Sequence, residues 1–136
     1  MVEKTCNLWL EPAVYRCILT SGAVSNGEAV LESRSARTAA TKFAGIAEDL
    51  GRLLTARGNH VHLIRPGVIS FPVKQFQWSG PNLQVIERSG HELADLVKDA
   101  KTVLPRPGCE PNELKWEDVA KALAFLPANI IVVNEL

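Results

Sequence analysis

The sequence has no CxxC pair, no apolar run of membrane length and no surplus of charge of either sign. Each absence argues against a class of protein. The three cysteines, Cys6, Cys17 and Cys109, are odd in number and widely spaced. That pattern speaks against a cysteine-rich zinc site and against a disulfide framework, and it favours a reducing compartment. No stretch approaches the ~20 apolar residues of a membrane helix. The N-terminal MVEKTCNLWL mixes acidic and basic residues and lacks the apolar centre of a signal peptide. The expectation is a soluble, cytoplasmic chain with no membrane partner. Lys and Arg number 15, as do Asp and Glu. This balance argues against a dedicated nucleic-acid binder, which carries a basic surplus. A local basic patch stays open. There is no internal repeat, low-complexity tract or dividing linker.

What is present is material for a core. Hydrophobic residues make up 46% of 136 positions, which predicts one domain spanning residues 1–136. Short apolar runs at residues 2–6, 14–19, 60–64, 68–73, 102–104 and 129–133 read as strands. The Arg65-Pro66-Gly67 turn makes 60–64 and 68–73 an antiparallel pair, with 60–64 at the sheet edge. Pro72 predicts that the ladder of its strand stops there. Between the strands lie helical patterns. Ala39, Phe43, Ile46, Ala47, Leu50, Leu53 and Leu54 recur at steps of three and four. Gly45 inside that stripe either weakens one long helix or divides two short ones. Leu83, Ile86, Leu93, Leu96 and Val97 form a second stripe. Trp116, Val119, Ala120, Leu123 and Leu126 form a third, stopped by Pro127. Alternation of strand and helix predicts a three-layer α/β/α fold with a mixed, mostly parallel sheet.

In such sheets ligands bind beyond the carboxyl ends of the strands. Two loops leave strands there, residues 20–34 and 105–113. Both are rich in small residues and prolines that let a backbone approach a ligand. A helix following such a loop offers free amides to an anion. A purely structural role for these loops carries comparable weight. His60 and His62 lie two apart and would share a face of the edge strand, exposed more simply than metal-binding. Cys109 follows Pro-Gly before a helix, where a dipole could lower its pKa. No triad spacing accompanies it. Trp78 could stack on a base or cover the core edge, whereas Trp9 and Trp116 read as packing residues.

At the two loops the sequence resembles a known family. TSGAVSNGEAVL is similar to the T-N-G-x-V…G-x-A-V-M-G-x-G segment of macro-domain-like ADP-ribose-binding proteins of bacteria and phage. The likeness continues through KFAGIAEDLG, GNHVHL, ISFPVK, VIERSGHEL, LPRPGC and LKWEDV, in order over nearly the whole chain. The resemblance implies a macro-domain-like fold with a cleft for ADP-ribose or a related nucleotide and no further cofactor. It places Asn7 against the adenine and Ser21 where the family has asparagine. Gly22, Val24, Gly27, Ala29 and Val30 match. The glycine-rich phosphate loop falls on residues 31–36 (LESRSA), where Glu32 and Arg34 replace glycines and Ser33 remains as a ligand candidate. Pro105, Arg106, Pro107, Gly108 and Cys109 match in the second loop, and Glu110, Pro111 and Asn112 replace small residues.

These departures predict weakened or altered binding. A glycine lets a diphosphate touch the backbone, and a larger residue blocks it. Glu32 would repel the diphosphate, whereas Arg34 could pair with it. Two alternatives stay open. One is a degenerate domain serving a protein partner or self-association. The other is an ADP-ribosyl hydrolase, which Ser21 in place of asparagine disfavours.

Overall fold

The computed structural model describes residues 1–135. In chain order the elements are β1 (Val2–Cys6), β2 (Tyr15–Ser21), β3 (Val24–Ser25), β4 (Glu28–Ala29), α1 (Arg34–Lys42), α2 (Ile46–Arg57), β5 (His62–Arg65), β6 (Val68–Lys74), α3 (Leu83–Val97), β7 (Thr102–Pro105), α4 (Trp116–Ala122) and β8 (Ile130–Glu135). Six strands form one sheet in the order β1-β8-β7-β2-β6-β5. Every neighbouring pair is parallel except β5 with β6. This is the mixed, mostly parallel sheet expected, with the antiparallel strand at its edge.

Successive strand residues point to opposite faces, and the sequence loads both. Cys17, Leu19, Ile69, Phe71, Leu104, Ile130 and Val132 pack with Ile86, Leu93 and Val97 of α3 and Val119 of α4. Ile18 and Val68 point the other way, under Ala36 and Ala39 of α1 and Ile46 of α2. Val103 and Val133 lie under Leu8 of the segment after β1. Each large side chain buried in this way contributes about 1.5–3 kcal/mol. The result is three layers, helix on sheet on helix.

Where the sequence left one helix or two, the structure has two. Gly45 sits at φ 80° and starts α2, after Phe43 has capped α1. A side chain there would be strained, so the glycine sets the break. Asn26 and Gly27, at φ 53° and 79°, close the β3–β4 hairpin as their sequence predicts.

Several boundaries differ from expectation. β2 reaches Ser21, so Thr20 and Ser21 belong to the strand and not to the loop. β6 continues past Pro72 to Lys74. Pro72 pairs with Thr20 beside a register shift, and proline is tolerated at such irregularities, where a ladder bond is already missing. β5 begins at His62, leaving His60 outside it. His62 is buried and its Nε2 contacts the Gly58 carbonyl at 2.9 Å, so the exposed edge expected for both histidines holds only for His60. α4 ends at Ala122, with Leu123 and Leu126 buried in the turn that follows. β8 runs to Glu135, two residues past the apolar run that ends at Val133. No helix among the described residues is long and apolar enough to cross a membrane.

Candidate functional site

β7 pairs with β2 only at Tyr15–Thr102 and Arg16–Val103. Beyond these pairs the two strands part. The chain leaving β2 goes to β6 and β5 on one side, whereas β7 and β8 lie on the other. This reversal is where open α/β sheets form a ligand crevice. Leu19 stands at its base. The Leu19 N–H donates to Ser35 Oγ at 3.0 Å, and the Leu19 carbonyl accepts from Ser33 Oγ at 2.7 Å. Ser33 also caps α1, accepting the Ala36 N–H at 3.1 Å. The two serines of the 31–36 stretch therefore pin the start of α1 to the end of β2.

The crevice opens into three adjoining chambers. A proximal chamber of about 330 Å³ includes Asn7, Trp9, Thr38 and Lys42. A central one of about 280 Å³ shares Arg34, Ser35 and Glu135 with it and adds Pro105, Arg106, Cys109 and Trp116. A distal one of about 260 Å³ shares Leu19, Glu110 and Pro111 with the central chamber and adds Thr20, Ser21, Val30, Glu32, Lys74 and Glu113. Together they form a groove of the size that small-molecule sites span, about 300–1,000 Å³.

The proximal end is held by polar contacts. Asn7 Oδ1 accepts the Trp9 N–H at 2.8 Å. The Arg16 guanidinium donates to the Leu8 carbonyl at 2.8 Å and also to the Glu11 carbonyl. Lys4, at 2.8 Å, hydrogen-bonds the Glu11 carboxylate and holds it below the usual carboxylate range, with Lys101 adding to the effect. The Lys42 ammonium lies 5.4 Å from the Trp9 ring centre, within cation–π range.

The central chamber carries opposed charges. Arg34 Nε lies 3.7 Å from Glu135 Oε2. Glu135 Oε1 is buried with no hydrogen-bond partner among the described residues. Burial raises the Glu135 pKa against the opposing pull of Arg34, and Glu110 raises it further. Glu110 Oε1 accepts the backbone N–H of Arg34 at 3.3 Å. That N–H is among the amides a helix start leaves without an intrahelical partner. A carboxylate from the loop after β7 therefore sits at the positive end of α1. The Arg106 guanidinium lies 4.8 Å from the Trp116 ring centre and 3.6 Å from Glu3 Oε1. Trp116 Nε1 donates to the same oxygen at 2.8 Å. Arg106 is thus held in place by a ring and a carboxylate.

Cys109 departs from its expectation. Burial pushes its thiol up to about 11, outweighing the lowering by Arg106. Its Sγ donates to the Pro107 carbonyl at 3.3 Å. The next helix begins only at Trp116, so no helix start acts on the sulfur. It is a thiol at neutral pH and a poor nucleophile.

Of the residues singled out from sequence, Asn7, Ser21, Val30, Ser33, Arg34, Pro105, Arg106, Gly108 and Cys109 line the groove. Gly22, Val24, Gly27, Ala29 and Pro107 do not line these chambers. Gly22 donates its N–H to the Gln75 carbonyl. Val24, Gly27 and Ala29 belong to the hairpin that lies against α2. Pro107 is buried within the second loop. Thr20, Lys74, Glu113 and Glu135 line the groove without having been singled out. The signal that could have found Thr20, Lys74 and Glu135 is position: each lies at or next to the carboxyl end of its strand. Among the described residues no group of three or more His, Cys, Asp or Glu is placed to hold a metal ion.

No sequence-family model matches the chain, and no curated protein sequence matches it. Solved structures do. The macrodomain of Thermus aquaticus DarG superposes with a TM-score of 0.74 at 16% identity, covering 99% of this chain and 97% of the other. The macrodomain of Mycobacterium tuberculosis DarG gives a TM-score of 0.78 at 15% identity, covering 97% and 95%. The chain has a macrodomain-like α/β fold.

Proposed function

We propose that this chain is a nucleotide-binding module of the ADP-ribose class with a remodelled, weakened diphosphate subsite. One observation carries the reading: a continuous groove lies at the strand-order reversal of a macrodomain-like sheet, between the start of α1 and the loop after β7. The proximal chamber, with Asn7, takes the base. Arg34 and Arg106 face the diphosphate from opposite loops. The distal chamber, with Ser21 and Val30, takes the second ribose. Glu32 and Arg34 line the walls and leave the chambers open. Binding is weakened because Glu110 already occupies the Arg34 amide that a phosphate oxygen would use.

The test is thermal denaturation and titration calorimetry with ADP-ribose. Millimolar ligand raises Tm, and Arg34→Ala or Arg106→Ala reduces the shift. Absence of any shift at millimolar ligand overturns the reading.

A second reading, a surface for a protein partner or for self-association, is favoured by a different observation. The Phe76 and Trp78 rings stack at 4.9 Å and 3° on the loop after β6, with Trp78 82% exposed. A concentration-dependent increase in molar mass on size-exclusion chromatography with light scattering, abolished by Trp78→Ser, supports it. A constant monomer mass counts against self-association.

A further inference from the structure

The distal chamber differs in charge from the rest of the groove. Glu32, Glu110 and Glu113 line it, against a single cation, Lys74. The Lys74 ammonium donates to the Gln77 carbonyl at 3.1 Å. Glu113 accepts the Glu110 N–H at 3.2 Å, so the acidic loop is held together by its own backbone. Leu19, Val30, Val73 and Pro111 supply apolar wall. A second and independent feature lies in the same chamber. Thr20 is 5% exposed, and its Oγ1 has no hydrogen-bond partner among the described residues. Leaving a buried hydroxyl unpaired is unfavourable, and a ligand group able to exchange a hydrogen bond with it would recover that cost.

We infer that the distal chamber is a subsite for a planar organic cation attached to the distal ribose of a bound nucleotide. The carboxylates provide the counter-charge, the apolar walls accept the faces of the plane, and Thr20 meets a polar substituent on it. A second phosphate at this position would meet the same three carboxylates and be rejected. The inference rests on the nucleotide reading above, with the base at Asn7 and the diphosphate at Arg34. Two sources share this chemistry: the pyridinium of an oxidised nicotinamide dinucleotide, and a guanidinium joined to ADP-ribose. The carboxylate excess marks the distal chamber, since the proximal one is lined by Glu135 with Arg34 and Lys42, and the central one by Glu110 and Glu135 with Arg34 and Arg106.

The test uses the full chain and three ligands: ADP-ribose, oxidised nicotinamide adenine dinucleotide, and its reduced form. The last two differ at the ring by one positive charge. Calorimetry is expected to give the oxidised form about tenfold tighter binding than the reduced form, a modest ratio because Glu32 and Glu113 are exposed and water screens much of the charge interaction. The double variant Glu32→Gln/Glu113→Gln removes two of the carboxylates while keeping size and hydrogen-bonding capacity. It should bring the ratio of oxidised to reduced form close to one, whatever the change in ADP-ribose affinity, which is measured alongside as the reference. Nω-ADP-ribosyl-arginine binding more tightly than ADP-ribose in the parent chain, but not in the double variant, would extend the preference to guanidinium. Weaker or equal binding would restrict the subsite to the pyridinium. If ADP-ribose binds and the two dinucleotide forms bind equally, the cation subsite is overturned while the nucleotide reading stands. If none of the ligands binds, the nucleotide reading itself fails and takes this one with it. Circular dichroism and Tm of the double variant show whether a lost preference reflects lost structure.

Discussion

Beneath α3 the sheet presents Leu19, Ile69, Phe71, Leu104, Ile130 and Val132, all buried against Ile86, Leu93 and Val97. At the carboxyl ends of the same strands stand Ser21, Lys74, Arg106 and Glu135. The first region is held by many side chains of one kind, each making non-directional contacts. The second is held by single hydrogen bonds and ion pairs, two of which, Arg106 with Glu3 and Glu135 with Arg34, join residues far apart in sequence. Leu19 also lines the groove, but removing any other member of the first costs stability and leaves the groove's chemistry alone. Removing one member of the second changes what the groove can bind.

The largest effect should come from the packed region. Leu93 is fully buried at the centre of the α3 face. Leu93→Ala loses its transfer energy and leaves a cavity, for a cost of about 2–5 kcal/mol. Thermal denaturation should show a fall in Tm of about 10 °C or more. Ligand affinity measured well below that Tm should be unchanged. A loss under ~1 kcal/mol would mean that the face is loosely packed and the contrast between the regions is false.

Ser33→Ala tests the seam between them. The hydroxyl caps α1 through the Ala36 N–H and binds the Leu19 carbonyl. Caps of this kind are worth about 0.5–2 kcal/mol. Chemical denaturation should register a loss of that order. Ligand affinity should fall as well, because the start of α1 forms a wall of the distal chamber. If stability falls and affinity does not, the seam belongs to the core alone.

The same contrast decides what could be read from the sequence. The α3 face was legible because burial imposes a period, and the period survives in Ile86, Leu93 and Val97, whereas Leu83 and Leu96 of the expected stripe are exposed. The Asn26-Gly27 turn was legible because few residue pairs suit two consecutive positive φ angles. Glu135 was not, since its strand's apolar pattern ends at Val133 while backbone pairing with β1 continues to Cys6–Glu135. His62 was misplaced because a polar residue in a short strand reads as exposed. Its ring instead finds the Gly58 carbonyl. The Glu110–Arg34 contact spans 76 residues, and no local pattern encodes it. The family likeness marked Glu110 only as a departure, whereas the structure gives the departure a partner.

That partner makes Glu110→Ala a test with two readouts of opposite sense. A carboxylate at a helix start stabilises by about 0.3–1 kcal/mol, so Tm should fall by a few degrees at most. Freeing the Arg34 amide should raise ADP-ribose affinity, by roughly threefold to tenfold if the recovered bond is worth about 0.5–1.5 kcal/mol. Lower affinity together with lower Tm would make Glu110 a simple brace between the loops.

The smallest effect should belong to Glu135, and its sign depends on pH. Burial raises the folded-state pKa above the unfolded value, despite the Arg34 guanidinium 3.7 Å away. A carboxyl shifted upward contributes its stability below the unfolded pKa and loses it as pH rises through the folded pKa. Above that folded pKa the ionised carboxylate is therefore a net burden on the fold. Glu135→Gln removes that burden and keeps a group of similar shape. Its Tm should exceed that of the parent chain at pH 7, and the difference should shrink towards zero as pH falls below about 4, near the reference pKa of glutamate. The opposite ordering at pH 7 would mean that the pair with Arg34 outweighs desolvation. The central chamber would then hold its charges because each needs the other, as at an ordinary surface ion pair, and the proposed difference between packed face and rim would be narrower than these contacts imply.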